Sequence, residues 1–372
     1  MRIGVPKEIK NHEYRVGMTP AAVRELTSRG HEVFVETMAG DGIGLGDETY
    51  TRVGAKILKT ADEVFANADM IVKVKEPQPV EIKRLTPKHT LFTYLHLAPD
   101  PEQTKGLLDS GAVCIAYETV TDRFGGLPLL APMSEVAGRM SIQAGAHSLE
   151  KAQGGRGMLL GGVPGVPAAK VVVLGGGVVG TNAARMAMGL EAHVSILDVS
   201  LRRLNELDLQ FGAMLNTVFS TIDAIEEHVT GADLVIGGVL LPGAAAPKLI
   251  TRKMVSQMKK GSVIVDVAID QGGCAETSHA TTHADPTYIV DGVVHYAVAN
   301  MPGAVARTST FALNNATMPF TIQLAEKGAE QAMKDNPHLR AGLNVYKGTL
   351  TYKAVAEAQS LPFKSAESVL GM

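Results

Sequence analysis

The stretch Lys170-Val171-Val172-Val173-Leu174-Gly175-Gly176-Gly177-Val178-Val179-Gly180 decides the fold. It begins as a strand of the buried type, and a helical segment over roughly residues 178–190 follows the glycines. Gly175, Gly177 and Gly180 fit G-x-G-x-x-G. The first permits a tight turn, the second lets a pyrophosphate approach the backbone, and the third allows close helix–strand packing. The helix start, at Val178 and Val179, offers N–H groups and a partial positive charge to phosphates. A lone motif of this kind is weak, but the next strand, Val194-Ser195-Ile196-Leu197, ends in Asp198. A carboxylate there accepts hydrogen bonds from the adenosine ribose hydroxyls and repels a 2′-phosphate, which favours NAD. The nearby Arg202 and Arg203 leave NADP open, because arginine can hold such a phosphate.

Outward from this loop, short β-branched runs alternate with helical patterns, which indicates α/β architecture with two doubly wound units. The second unit's strands are expected at 171–174, 193–197, 217–219, 234–236, 263–267 and 294–299. Those of the first are expected at 2–5, 32–36, 70–75, 90–95 and 113–117. Helices between them carry start signals: Thr19-Pro20, the capping-box spacing Thr60 to Glu63, and Asp100-Pro101 with Gln103. One helix is expected over about 133–152, followed by the glycine-rich 154–165, either a hinge or a rigid packed turn. Beyond Arg307 the pattern reads as mainly helical, with Pro319 interrupting it.

The 372 residues suffice for two domains, and 45% hydrophobic with 20% charged residues suits a soluble globular chain. A formal charge of −3 and the lack of any Lys/Arg block exclude nucleic acid as a partner. Cys114 and Cys274 cannot build a disulfide framework, and Cys114 reads as a small buried hydrophobe. The start lacks the apolar run of a signal peptide, and no run matches a membrane span, so a cytoplasmic protein is expected.

In open α/β sheets, ligands bind beyond the carboxyl ends of the strands. Three residues of the first unit belong there: Arg15 in the loop after 2–5, Lys75 ending 70–75, and His96 ending 90–95. Together they suit a small oxo acid. Guanidinium and ammonium pair with its carboxylate, and an imidazole titrating near neutrality moves the proton that accompanies hydride transfer. Each also has a plainer explanation: Arg15 bridging nearby acids, Lys75 as a solvated charge, His96 as a structural residue. Asp270 follows the strand at 263–267 beside Gly272-Gly273 and is either an ordinary turn residue or one facing the nicotinamide across the interdomain cleft.

Several stretches together resemble the alanine dehydrogenase family: Gly4-Val5-Pro6-Lys7-Glu8, Glu13-Tyr14-Arg15-Val16, Lys73-Val74-Lys75-Glu76-Pro77 and Tyr94-Leu95-His96-Leu97-Ala98. Pro132 to Arg139, Gly175 to Gly180, Asp266 to Gly273 and Ala299 to Val305 complete the likeness, which runs over effectively the whole chain. It implies reversible NAD-dependent deamination of L-alanine to pyruvate and ammonium. It also implies a homohexamer and a discontinuous substrate domain, 1–128 with 307–372, around an inserted dinucleotide-binding Rossmann domain, 129–306. By the same resemblance Arg15 and Lys75 hold the substrate, His96 is the acid/base, and Asp270 assists the ammonia or water steps. Met133 is expected to limit the pocket. Ser134, Asp198, Arg203, Ser220, Val239, Leu240, Val267, Ala268, Ile269, Asp270, Val298, Ala299, Asn300 and Met301 correspond to dinucleotide contacts. No metal is implied. The nearest rival is the NAD(H)-binding subunit of a proton-translocating transhydrogenase, and His96 argues against it; a saccharopine dehydrogenase would need a longer pocket.

Overall fold

The computed structural model describes residues 1–239 and 246–372, so Leu240 lies outside the described residues. The chain divides into two compact units, Met1–Met133 with Val305–Met372, and Ser134–Ala304. Both are Rossmann-like α/β domains.

The first unit contains β1 (Arg2–Val5), β2 (Glu32–Glu36), β3 (Lys56–Leu58), β4 (Met70–Val72), β5 (Thr90–Thr93) and β6 (Val113–Ala116). The second contains β7 (Lys170–Leu174), β8 (His193–Asp198), β9 (Leu215–Phe219), β10 (Leu234–Gly237), β11 (Val263–Asp266), β12 (Thr287–Val290) and β13 (Val293–Tyr296). After it, β14 (Leu343–Tyr346) and β15 (Thr349–Leu350) return to the first sheet. The two orders are β15-β14-β6-β5-β4-β1-β2-β3 and β12-β13-β11-β10-β7-β8-β9. Pairing is parallel except where β14 meets β6 and β15, and where β12 meets β13.

The apolar runs form buried strands because both faces of the sheet are covered. Val171, Val173, Ile236 and Val265 face one core cluster, while Val172, Leu174, Val235 and Ile264 face another. Each such side chain contributes roughly 1.5–3 kcal/mol relative to exposure. The order reverses at β7, which lies between β10 and β8, and at β1, which lies between β4 and β2. Crevices for ligands open at such reversals, beyond the strands' carboxyl ends.

The expected caps are present. Thr19 accepts from Ala22, Asp100 accepts from Gln103, and Thr60 with Glu63 closes a capping box. Three readings need correction, and a fourth had two alternatives. Strands β4 and β5 stop at Val72 and Thr93, so Lys75 and His96 stand in the loops beyond them. The tail is not uniformly helical but holds the β14–β15 hairpin. Pro319 does not break the helix Ala306–Lys327. Pro319 and Asn315, whose carbonyl loses its i+4 donor, both lie on the exposed face of the helix, where the lost bond costs least. Residues 154–165 belong wholly to the second unit, where the Arg156 N–H donates to the Gly261 carbonyl and Val163 pairs with Val166. That is a packed turn. No helix among the described residues is long and apolar enough to cross a membrane.

Candidate active site

In the first unit, the loop after β1 carries Glu13 and Arg15. The Arg15 Nε and Nη2 donate to the two Glu13 oxygens at 2.6 Å each, and Nη1 donates to the Met133 sulfur at 3.1 Å. Arg15 is only 2% exposed. Burial disfavours its charge, yet the bond to Glu13 outweighs that and holds the guanidinium above its usual pKa. Burial likewise pushes the Glu13 carboxyl up, but the bonds from Arg15 and the attraction of Lys75 bring it below the usual range. The loop lies tightly on the end of β4, since a Cβ on Gly17 would overlap the Val72 carbonyl. Only glycine lets the Arg15 segment come this close to the segment leading to Lys75.

Lys75 is 15% exposed, and its Nζ lies 4.0 Å from a Glu76 oxygen. Its peptide is held on both sides. The N–H donates to Glu8 at 3.4 Å, and the carbonyl accepts from the Thr93 hydroxyl at 2.9 Å. Beyond β5, His96 takes a left-handed backbone, φ 50°. Histidine tolerates that region better than most residues, but it is still sparsely populated. Glu118, in the turn after β6, accepts from the N–H groups of Leu95 at 3.1 Å and His96 at 2.6 Å. The imidazole stacks on Tyr94 with centroids 5.6 Å apart and planes 8° apart, and its Nδ1 is 3.9 Å from Glu118. At 44% exposed, the ring is open to approach. Tyr94, whose hydroxyl donates to the Leu129 carbonyl at 2.5 Å, is buried, and burial pushes its phenol above the usual pKa and keeps it neutral. Arg15, Lys75 and His96 thus stand beyond the carboxyl ends of the neighbouring strands β1, β4 and β5, with buried Met133, from the helix Ala131–Ser148, against the guanidinium. A cationic floor with a partly exposed imidazole can orient a small carboxylate and exchange its protons.

In the second unit, the loop after β7 has the shape the glycines imply. Gly175 sits at φ 93°, and a Cβ on Gly180 would overlap the Gly175 carbonyl. Among the described residues a Cβ on Gly177 would meet nothing, at the place where the motif expects a phosphate. The helix Val178–Gly189 starts there with Val178 exposed and Val179 buried. Asp198 receives the Gly176 N–H at 2.7 Å and the Ser200 N–H at 2.8 Å. Its carbonyl takes the Ser220 N–H at 3.0 Å. Arg203 turns back onto the loop, donating to the Gly176 carbonyl, the Thr181 hydroxyl and Glu206. Val239 packs beside Gly175. These residues fit a dinucleotide: a cradle, a helix start and a ribose carboxylate.

Farther along the sheet, Val267, Ala268, Ile269 and Asp270 form a turn of 3-10 helix after β11, with Asp270 exposed. The buried Asp266 anchors it by accepting from Cys274, Ala275 and Ser278. Lys248 donates to the Gly272 and Gly273 carbonyls just beyond. Val298 and Met301 are buried after β13, Ala299 is exposed, and Asn300 has φ 62°. Ser134 stands in the first turn of the helix Ala131–Ser148, which packs through Gly138 on the Val179 carbonyl. Among the described residues, no cluster of His, Cys, Asp or Glu is arranged to hold a metal. The pairing of Arg15 with Glu13 fits the plainer reading of Arg15 as bridging nearby acids, whereas sequence reasoning gave no role to Tyr94, Glu118 or Glu8. Glu8, Glu13 and Tyr94 stand in stretches that resemble the family, but spacing gives no sign of the partners they meet.

Residues 4–137 match the family described as Alanine dehydrogenase/PNT, N-terminal domain, and 141–353 match its C-terminal domain. The chain is 63% identical over 371 residues to an alanine dehydrogenase of Halomonas elongata, with 100% of each chain covered. A solved L-alanine dehydrogenase superimposes with a TM-score of 0.94 at 52% identity, over 97% of this chain and 99% of that one. A transhydrogenase from Sinorhizobium meliloti gives 0.84 at 26% identity, over 94% and 100%. The chain belongs to the alanine dehydrogenase/PNT family.

Proposed function

We propose that the protein catalyses the reversible, NAD-dependent oxidative deamination of L-alanine to pyruvate and ammonium. The observation that carries this reading is the grouping of Arg15, Lys75 and His96 at one sheet's carboxyl ends, in a chain 63% identical to an alanine dehydrogenase from end to end. The transhydrogenase likeness, at 26% identity, competes less well.

NAD, when bound, supplies the hydride acceptor. The Gly175–Val179 backbone would hold its phosphates and Asp198 its ribose. Ser134, Ser220, Val239, Val267 to Ile269 and Val298 to Met301 would line the remainder. Commitment of Arg203 to Gly176, Thr181 and Glu206 supports NAD over NADP, because those nitrogens already have acceptors. Arg15 meets the substrate carboxylate from its Nη1 side, since the Nε–Nη2 edge grips Glu13. Lys75 binds the carboxylate and oxo region, and Met133 limits the side chain that fits. His96 takes a proton at its imidazole and returns it as the substrate carbon passes between amine, hydroxyl and oxo forms. Asp270 assists the ammonia and water steps. The resemblance also favours a homohexamer, which light scattering of the purified protein tests.

The first test is NADH absorbance with pyruvate and ammonium, then with L-alanine and NAD, with NADPH as control. Turnover in both directions that is selective for NADH supports the reading. Tight NADH binding without turnover overturns it in favour of the transhydrogenase-like binding module.

A further inference from the structure

The first unit buries an ammonium for which the proposed chemistry has no use. Lys73 is 0% exposed, and its Nζ lies 3.1 Å from Glu8 Oε2 and 2.7 Å from Glu81 Oε1. Burial opposes its charge, but the two carboxylates outweigh that and hold the ammonium above its usual pKa. A buried ion cluster is poor evidence for stability, because a well-packed apolar replacement of similar size often does as well. Its geometry has a different consequence. While Oε2 of Glu8 faces Lys73, Oε1 accepts from the peptide N–H groups of Val74 at 2.7 Å and Lys75 at 3.4 Å. From the other side, Tyr94 N–H donates to the Val74 carbonyl at 3.3 Å, and the Thr93 hydroxyl to that of Lys75 at 2.9 Å. Strand β4 has ended at Val72, so these bonds rather than regular pairing set the path of the chain into Lys75.

We propose that Glu8 is a positioning residue for Lys75: its carboxylate, oriented by Lys73, clamps the Val74–Lys75 peptides and aims the Lys75 ammonium at the substrate. The inference rests on the substrate-binding role given to Lys75 above. Glu8 is well suited to testing. Its removal leaves Lys73 paired one-to-one with Glu81, so no uncompensated charge is stranded, and the effect on Lys75 is separable from collapse of the cluster.

Glu8→Ala should raise the KM for pyruvate on the order of 10- to 100-fold, the cost of a misplaced binding group, and leave the NADH Kd unchanged. Glu8→Gln keeps one oxygen acceptor but sets an amide NH2 against either the Lys73 ammonium or the two N–H groups, so it should recover only part of the loss. Glu8→Asp keeps the counter-charge but withdraws the acceptor by one methylene. It should resemble the alanine variant, and it replaces that variant should Glu8→Ala fail to fold. The deciding measurement is a double-mutant cycle with Lys75→Ala, read as KM for pyruvate. If Glu8 acts through Lys75, its removal in the Lys75→Ala background adds less than about twofold. Full additivity overturns the inference while leaving the role of Lys75 intact. So does an unchanged pyruvate KM in both Glu8→Ala and Glu8→Asp with only Tm lowered. If Lys75→Ala alone leaves the KM unchanged, the reading of Lys75 falls, and the inference with it.

Discussion

Replacing Arg15 by alanine should injure the protein in two separable ways. The guanidinium is buried against Glu13, whose side chain is also buried, through two bonds of 2.6 Å. Removing one partner of such a pair leaves a desolvated carboxylate and costs about 3–5 kcal/mol, which for a domain of this size lowers Tm by roughly 6 to 20 °C. Substrate binding should suffer independently. Loss of a charged hydrogen bond to the carboxylate costs about 1.5–3 kcal/mol, a rise in pyruvate KM of roughly 10- to 150-fold. The second change Glu13→Gln separates the two, because it removes the stranded charge: the double variant should regain most of the Tm but none of the KM. Acid supplies a further check. In the parent protein the Glu13 pKa is lowered, so its stabilisation is present above the unfolded value and lost as pH falls through the folded value. Without Arg15, burial instead raises the folded value, and the penalty disappears as pH falls through it. The Tm gap between parent and variant should therefore narrow toward and below pH ~4. Thermal melts across pH and steady-state kinetics on both variants give the answer. A pyruvate KM that recovers with the Tm would refute the argument, since it would make Arg15 purely structural.

Three other expectations are independent of that one. His96→Ala should lower kcat by roughly 10²- to 10⁴-fold with the fold intact, and near-normal turnover would remove His96 from the chemistry. Asp198→Ala removes the acceptor of the Gly176 and Ser200 N–H groups as well as the ribose carboxylate, so NADH Kd by fluorescence titration should rise roughly 10- to 100-fold; no change would sink the ribose assignment. Burial pushes the Cys114 thiol up to about 12 and the Cys274 thiol well above its usual value. Neither should react with a thiol reagent at pH ~8 until urea unfolds the chain, and rapid labelling of the native protein would contradict their burial.

The elements most legible in the sequence were those with one dominant cause. The run Lys170 to Leu174 is buried on both faces, and continuous Val and Leu announce that directly. The caps at Thr19, Thr60 and Asp100 are local, so spacing alone reveals them. Of the four edge strands only β9 was expected: β3 has no fully buried residue, β12 none either, and β15 is two residues long. Pro319 misled because a break depends on whether the lost bond faces water, which the helix's burial decides. In the candidate site, Lys75 and His96 could be placed from the strands before them. The partners that hold them could not. Glu8 meets Lys73 across 65 positions and Glu118 meets His96 across 22, and in sequence each acid looks like a solvated surface charge.

The return of β14 to the edge of β6 also has a consequence for synthesis. Ser134–Ala304 is continuous and can fold as it leaves the ribosome, but the sheet begun by β1 gains β14 and β15 only after the whole of that second unit has been made. Until then β6, whose residues Val113–Ala116 are all buried in the finished protein, offers an unpaired apolar edge. A chain released before Leu343 would therefore carry a complete second domain beside an adhesive half-built first one. Aggregation during expression, rather than weak catalysis, is the expected fate of C-terminal truncations.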